Sequence, residues 1–281
     1  MYAIQRGREP PAAAQAIPFR RVAAKAAAPF ARPGRLADLL FARGFERVAA
    51  GRAPRSIRVE FAERWFGDDL VAEIDPIRLE HELVESVDDG GKPVRLSHWF
   101  LDGGDWTDIL RPLRPSEVQL EIDAVFDHGD RLEESPAFRA LLANSEAGRP
   151  SKRNQVSLTS PELIRSYLEQ YRDLRRSIEE HGFRRRAGVP SAEARLFAGT
   201  AVRDKAAERR EREIGLAVGP DGTLFRITGG RHRTALAQRL ELPRIPAQVR
   251  LVHVAWLEGW IARTGLPPRQ ALITGIRSFA A

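Results

Sequence analysis

The sequence predicts an α+β fold, and three observations carry that expectation. Residues 161–182 hold the strongest helical periodicity of the chain. Alternating apolar runs flank Asp-Gly turns, and residues 213–252 read as a hairpin, a glycine turn, a helix and a further strand.

Taken in order, residues 1–55 are rich in Ala, Arg and Pro and poor in acids, which predicts a basic N-terminal arm, flexible or docked on a partner. Arg20 to Lys25 fits a short basic helix within it. The arginine excess also suits a transit peptide, while the apolar core of a secretory signal is missing. Residues 56–155 read as an extension. In it SIRVEFAERWF alternates as a strand does, and PVRLSHWFLDGGDWTDIL joins a β run to an Asp-Gly-Gly turn. The main domain spans 156–260. Its helix PELIRSYLEQYRDLRRSIEEHG has Ser160 as a cap, Pro161 in the first turn, apolar residues at three- and four-residue spacing, and Gly182 as a stop. Residues 184–212 carry nine Arg or Lys against four Asp or Glu, broken by Gly188, Pro190 and Gly199. They read as a basic insertion, helical near 202–213, that serves either as a solvated surface or as a flap over a ligand. Strands at 213–218 and 223–227 enclose the turn Gly219 to Gly222, a helix follows from about Arg231 to Leu240, and Ile245 to Val252 form the last strand. Residues 261–281 are left as a C-terminal tail.

At 281 residues and 43% hydrophobic content, the chain can bury a core as one extended domain or two modest ones. No stretch approaches the about 18 consecutive apolar residues of a membrane span, so no membrane partner is expected. Cysteine is absent, which excludes disulfides, thiolate metal sites and cysteine nucleophiles and is compatible with a cytoplasmic location. A formal charge of +7 and a pI near 10.4 favour anionic partners. Only four of the 45 basic residues are lysine, however, so arginine is enriched along the whole chain, and a compositional bias accounts for this equally well.

The densest candidate site is Gly229-Gly230-Arg231-His232-Arg233. A glycine turn that opens a helix offers unpaired amides and the positive end of the helix dipole to an anion. Glycines permit positive φ and close approach, the two arginines add forked donors, and the histidine can donate or carry a proton. The competing reading is a tight turn that happens to be basic.

The order of elements around this motif, from LRRSIEEHGF through the strand at Ile214 to Val218 and GTLFRITGGRHRTALAQRLELPRIPAQV, resembles the ParB/sulfiredoxin superfamily. The resemblance covers about residues 160–255. It implies a small mixed sheet with flanking helices, preceded here by an N-terminal α/β extension, and a basic turn that binds nucleotide phosphates. Carried over by position, Gly229, Gly230, His232 and Arg233 match the phosphate-binding turn, with Ser177 approaching it from the preceding helix end. Arg231 stands where sulfiredoxin-like members have their reactive cysteine, so sulfinic acid reduction is excluded. The motif departs from the Gly-Glu-Arg-Arg form of chromosome-partitioning members, and no helix-turn-helix domain follows. Nucleotide-dependent small-molecule kinases of this superfamily use a carboxylate near the nucleotide as base, which implies Glu179 or Glu180 here. Gly103-Gly104-Asp105-Trp106, Phe126 to Gly129, and His253 with Trp256 also resemble other proteins that carry a GRHR-type module, without implying a reaction.

Asp105, with Asp102 and Asp108, is the candidate for holding Mg²⁺; solvated turn carboxylates are the alternative. The six histidines form no zinc motif. Two functions follow. The first is binding of a nucleoside di- or triphosphate with Mg²⁺, leading to phosphoryl transfer or hydrolysis with His232, Arg233 and Glu179 as catalytic residues. The second is a nucleic-acid-binding module that uses the arm and the 184–212 insertion.

Overall fold

The computed structural model describes residues 3–4, 34–153, 156–185 and 213–280. The first half of the chain runs β1 (Ala3–Ile4), α1 (Arg35–Ala49), β2 (Arg55–Arg58), α2 (Val59–Phe66), β3 (Val71–Ile74), β4 (His81–Leu83), β5 (Ser86–Asp89), β6 (Lys92–Arg95), β7 (Trp99–Asp102) and β8 (Leu110–Pro112). There follow α3 (Glu117–Asp127), α4 (Pro136–Glu146), β9 (Lys152–Arg153), β10 (Val156–Ser157), α5 (Pro161–His181), β11 (Gly215–Val218), β12 (Leu224–Arg226), α6 (Arg231–Arg239), β13 (Ile245–His253), α7 (Val254–Thr264) and α8 (Pro268–Arg277). The fold is α+β.

Eight strands build one mixed sheet in the order β2-β7-β13-β11-β12-β4-β8, with β3 also paired to β13. β13 lies parallel to β11 and β7 and antiparallel to β3, and β11 and β12 form an antiparallel hairpin. At the next pairing Arg226 of β12 stands opposite Glu82 of β4. The sheet therefore crosses the expected boundary at residue 155, because five of its strands come from residues 55–112.

Alternation along β11 sends Leu216 and Val218 to one face of the sheet and Ala217 to the other. The first face packs against α1, α2, α7 and α8. A second apolar cluster joins α3, α4 and α5 to α6. Helix α6 stands between the two, giving Ala237 to the first and Ala235 and Leu236 to the second. α5 starts and stops as its sequence predicts: the Ser160 hydroxyl accepts the Leu163 amide at 3.3 Å, and Gly182 turns at φ 73°.

Three expectations are corrected. The arm does not extend to residue 55, since Ala37, Phe41, Phe45 and Val48 of α1 are buried at helical spacing. The tail is structural as well, since Ala271, Leu272, Ile276 and Phe279 enter the same core. SIRVEFAERWF is a short strand followed by a helix, because Val59, Ala62, Trp65 and Phe66 lie on one helical face and are buried together. The basic helix near Arg20 to Lys25 and nearly all of the 184–212 insertion fall outside the described residues. Among the described residues, no helix is long and apolar enough to cross a membrane.

Candidate functional site

Between β12 and α6 the backbone turns through two left-handed residues, Thr228 at φ 61° and Gly230 at φ 80°. Gly229 is not one of them. A β-branched residue in this region is strained, which makes Thr228 the unusual member of the turn. Gly230 has a steric reason to be glycine, because a Cβ there would fall 2.7 Å from Ile214 Cγ1 and 2.8 Å from Ile214 Cα. Gly230 is also the N-cap of α6 and offers no side chain to its first amides. At the two ends of the turn, the Thr228 and Thr234 hydroxyl oxygens are buried and, among the described residues, make no hydrogen bond. Thr234 is 2% exposed.

Each basic side chain of the motif is met by a carboxylate. Arg231 grips Glu82 in a fork, with Nε 3.1 Å from Oε2 and Nη2 2.7 Å from Oε1. Buried Arg226 shares that glutamate and also donates to the carbonyls of Thr228 and Gly229, so it fixes the turn from below. Burial pulls the Arg226 guanidinium below its ordinary pKa in spite of Glu82. Arg233 donates to Glu213 at 3.2 Å and to the Arg184 carbonyl, and its guanidinium lies 4.5 Å over the Phe183 ring. It acts as a strut rather than an open fork. Arg231 is 56% exposed and, among the described residues, makes no hydrogen bond through Nη1.

His232 belongs to a buried polar chain. Its Nε2 lies 2.8 Å from Glu121 Oε2, and its ring stacks on Tyr171 at 4.2 Å and 10°. The Tyr167 hydroxyl donates to the same oxygen at 2.7 Å, and Arg153 reaches Glu121 Oε1 at 2.9 Å. Burial pushes the Glu121 carboxyl upward, but the hydrogen bond and charge of His232, then Tyr167 and Arg153, outweigh it and hold the group below its ordinary pKa. Burial is likewise the main cause of the raised Tyr167 pKa.

Glu82, Arg153, Tyr171, Arg231, His232 and Arg233 line a cavity of about 930 Å³, bounded by the start of α3, the end of α5, the chain from Gly182 to Arg184, and Thr228 to Ala235. The structure thus brings together Gly229, Gly230, Arg231, His232, Arg233 and Ser177 on its wall. Glu179 is corrected: it pairs with Arg175 at 2.8 Å and does not line the cavity. Two residues beyond Ser177 on a helix is about 200° of rotation, which turns Glu179 away.

Asp105 is corrected too, since Oδ1 accepts the Thr107 amide at 2.9 Å in a tight turn. Asp102, fully buried, accepts from Trp106 Nε1 at 2.7 Å and from the Gly104 amide at 3.0 Å. Among the described residues no group of three or more His, Asp or Glu side chains can hold a metal ion. His253 lies 3.0 Å from the Gly104 carbonyl and edge-on to Trp106 at 5.1 Å, a structural role for that second cluster.

The residues that sequence reasoning missed are Glu82, Glu121, Arg153, Tyr167, Tyr171 and Arg226. Tyr167 and Tyr171 are visible in the sequence as members of the apolar stripe of α5, without a sign that their hydroxyls are used. Comparison with protein-family models, with curated proteins and with solved structures gives no match.

Proposed function

We propose that this protein binds a nucleoside di- or triphosphate, its phosphates on the first amides of α6 and Mg²⁺ carried on the phosphates with water as its remaining ligands. One observation carries the proposal: α6 begins uncapped inside the cavity, between two buried threonine hydroxyls that have no partner among the described residues. Arg231 supplies an accessible guanidinium at the mouth, and Tyr171, Leu174 and Phe183 add apolar wall for the rest of the ligand. A cavity of about 930 Å³ suits a nucleotide, within the roughly 300–1,000 Å³ usual for small-molecule sites. The resemblance to the ParB/sulfiredoxin superfamily points the same way.

Calorimetric titration with ATP, ADP, CTP and GTP in the presence of Mg²⁺ tests this. Binding of at least one, weakened about tenfold or more in Arg231→Ala and in Thr234→Val, is expected. Absence of binding by all four defeats the proposal. The nucleic-acid alternative draws on basic stretches that lie mainly outside the described residues. Salt-sensitive retention on DNA or RNA, with no nucleotide binding, would favour it instead.

A further inference from the structure

Glu121 is 2% exposed and accepts from three side chains on three elements. Arg153 gives Nε at 3.2 Å and Nη2 at 2.9 Å to Oε1, and it also reaches Glu117 at 3.0 Å and the Lys152 carbonyl at 3.5 Å. Tyr167 donates to Oε2 and stands 3.3 Å from the Tyr171 hydroxyl. An ionised carboxylate can only accept, so the third contact, at 2.8 Å, assigns a proton to His232 Nε2. When the ring is neutral its lone pair is then on Nδ1, and Nδ1 has no hydrogen-bond partner among the described residues. His232 is the second residue of α6 and lines the cavity, so this base shares a wall with the amides assigned to phosphate.

A carboxylate that fixes the tautomer of an imidazole on a cavity wall, with the other nitrogen unpartnered among the described residues, is the geometry of a general base. We propose that His232 is the base of a nucleoside-triphosphate hydrolysis in this cavity and that Glu121 is its positioning residue. This rests on the nucleotide reading above. Nδ1 removes a proton from water as the water oxygen bonds to the γ-phosphorus. The bond from that phosphorus to the β,γ-bridging oxygen breaks, and the nucleoside diphosphate leaves with the electron pair. Inorganic phosphate departs, and the proton returns from Nδ1 to solvent. The amides of α6 and Arg231 face the charge that grows on the phosphoryl oxygens. The bland alternative is that Glu121 and His232 only pin α3 and α5 to α6.

Release of inorganic phosphate from ATP, CTP and GTP with Mg²⁺ separates the two, run beside the calorimetric titration on the full chain. His232→Gln is the informative variant, because its amide nitrogen can still donate to Glu121 while the Nδ1 lone pair is lost. It is expected to bind nucleotide as the parent does, with kcat lower by about 10²- to 10⁴-fold and KM unchanged. Glu121→Gln should lower kcat less, also at constant KM. His232→Ala should regain part of its rate on addition of free imidazole, a rescue that a merely structural role does not produce. Parental turnover in His232→Gln overturns the proposal. So does nucleotide binding without phosphate release in the parent protein, which leaves the binding assignment standing. Failure of all nucleotides to bind removes that assignment, and this one with it.

Discussion

Replacing Gly230 with alanine tests how far the basic motif is a backbone device. The residue sits at φ 80° and ψ 12°, a region that costs an L side chain about 1–2 kcal/mol. The added methyl would also meet Ile214, at 2.7 Å from Cγ1 and 2.8 Å from Cα, and the second of these is backbone that cannot swing aside. Ile214 is fully buried, and its carbonyl accepts the Gln248 amide at 2.8 Å. Moving it therefore strains the entry to β11 and its pairing with β13, and overpacking of this kind costs about 1–3 kcal/mol. Together the terms give roughly 2–5 kcal/mol, set against the about 5–15 kcal/mol that stabilises a typical domain. At about 2–4 °C per kcal/mol, thermal unfolding followed by circular dichroism should move down by roughly 4–20 °C. A midpoint within about 2 °C of the parent refutes the steric reasoning and leaves ligand access as the reason for the glycine.

Phe41→Ala removes a ring that is 1% exposed and packed edge-on to Phe66 at 4.9 Å, so it should cost about 3–5 kcal/mol in urea unfolding. A loss under about 1 kcal/mol would return residues 35–49 to the status of an arm. Glu121 has its carboxyl held below the ordinary pKa in the fold, so its contribution is fully present above about pH 5 and is lost as the pH falls through the lowered value. Parent and Glu121→Gln should differ by on the order of 1–3 kcal/mol at neutral pH and converge in acid. A stability gap that stays constant from pH 7 to pH 3 contradicts this.

Local chemistry was legible wherever neighbours in sequence are neighbours in space. Ser160, Pro161 and Gly182 bound α5 because caps and stops act within one turn, and the Asp221-Gly222 turn closes the hairpin for the same reason. SIRVEFAERWF misled because four residues of true strand precede a helix that also places apolar residues at Val59, Phe61 and Trp65, two and four apart. α1 was hidden by composition: Phe41, Phe45 and Val48 keep helical spacing within an Ala- and Arg-rich run that reads as polar. The candidate site was only half visible. The cations follow one another in a single motif, whereas their carboxylates come from 149, 111 and 20 residues away. Glu82 is delivered by the parallel pairing of β4 with β12, and Glu121 by the packing of α3 on α6. No spacing rule encodes either.

The strut made by Arg233 has a further consequence for how this chain can vary. It holds the Arg184 carbonyl with one nitrogen and the Glu213 carboxylate with another, so the chain departs and returns at a single guanidinium. Whatever length of polypeptide joins those two points, the ends are already closed, and doubling it changes the closure entropy by only about 0.6 kcal/mol. A change in the number of residues between Arg184 and Glu213 is therefore expected to cost little in closure entropy. The side chain that reads as a ligand for phosphate is also the clasp that brings Arg184 and Glu213 together across the sequence.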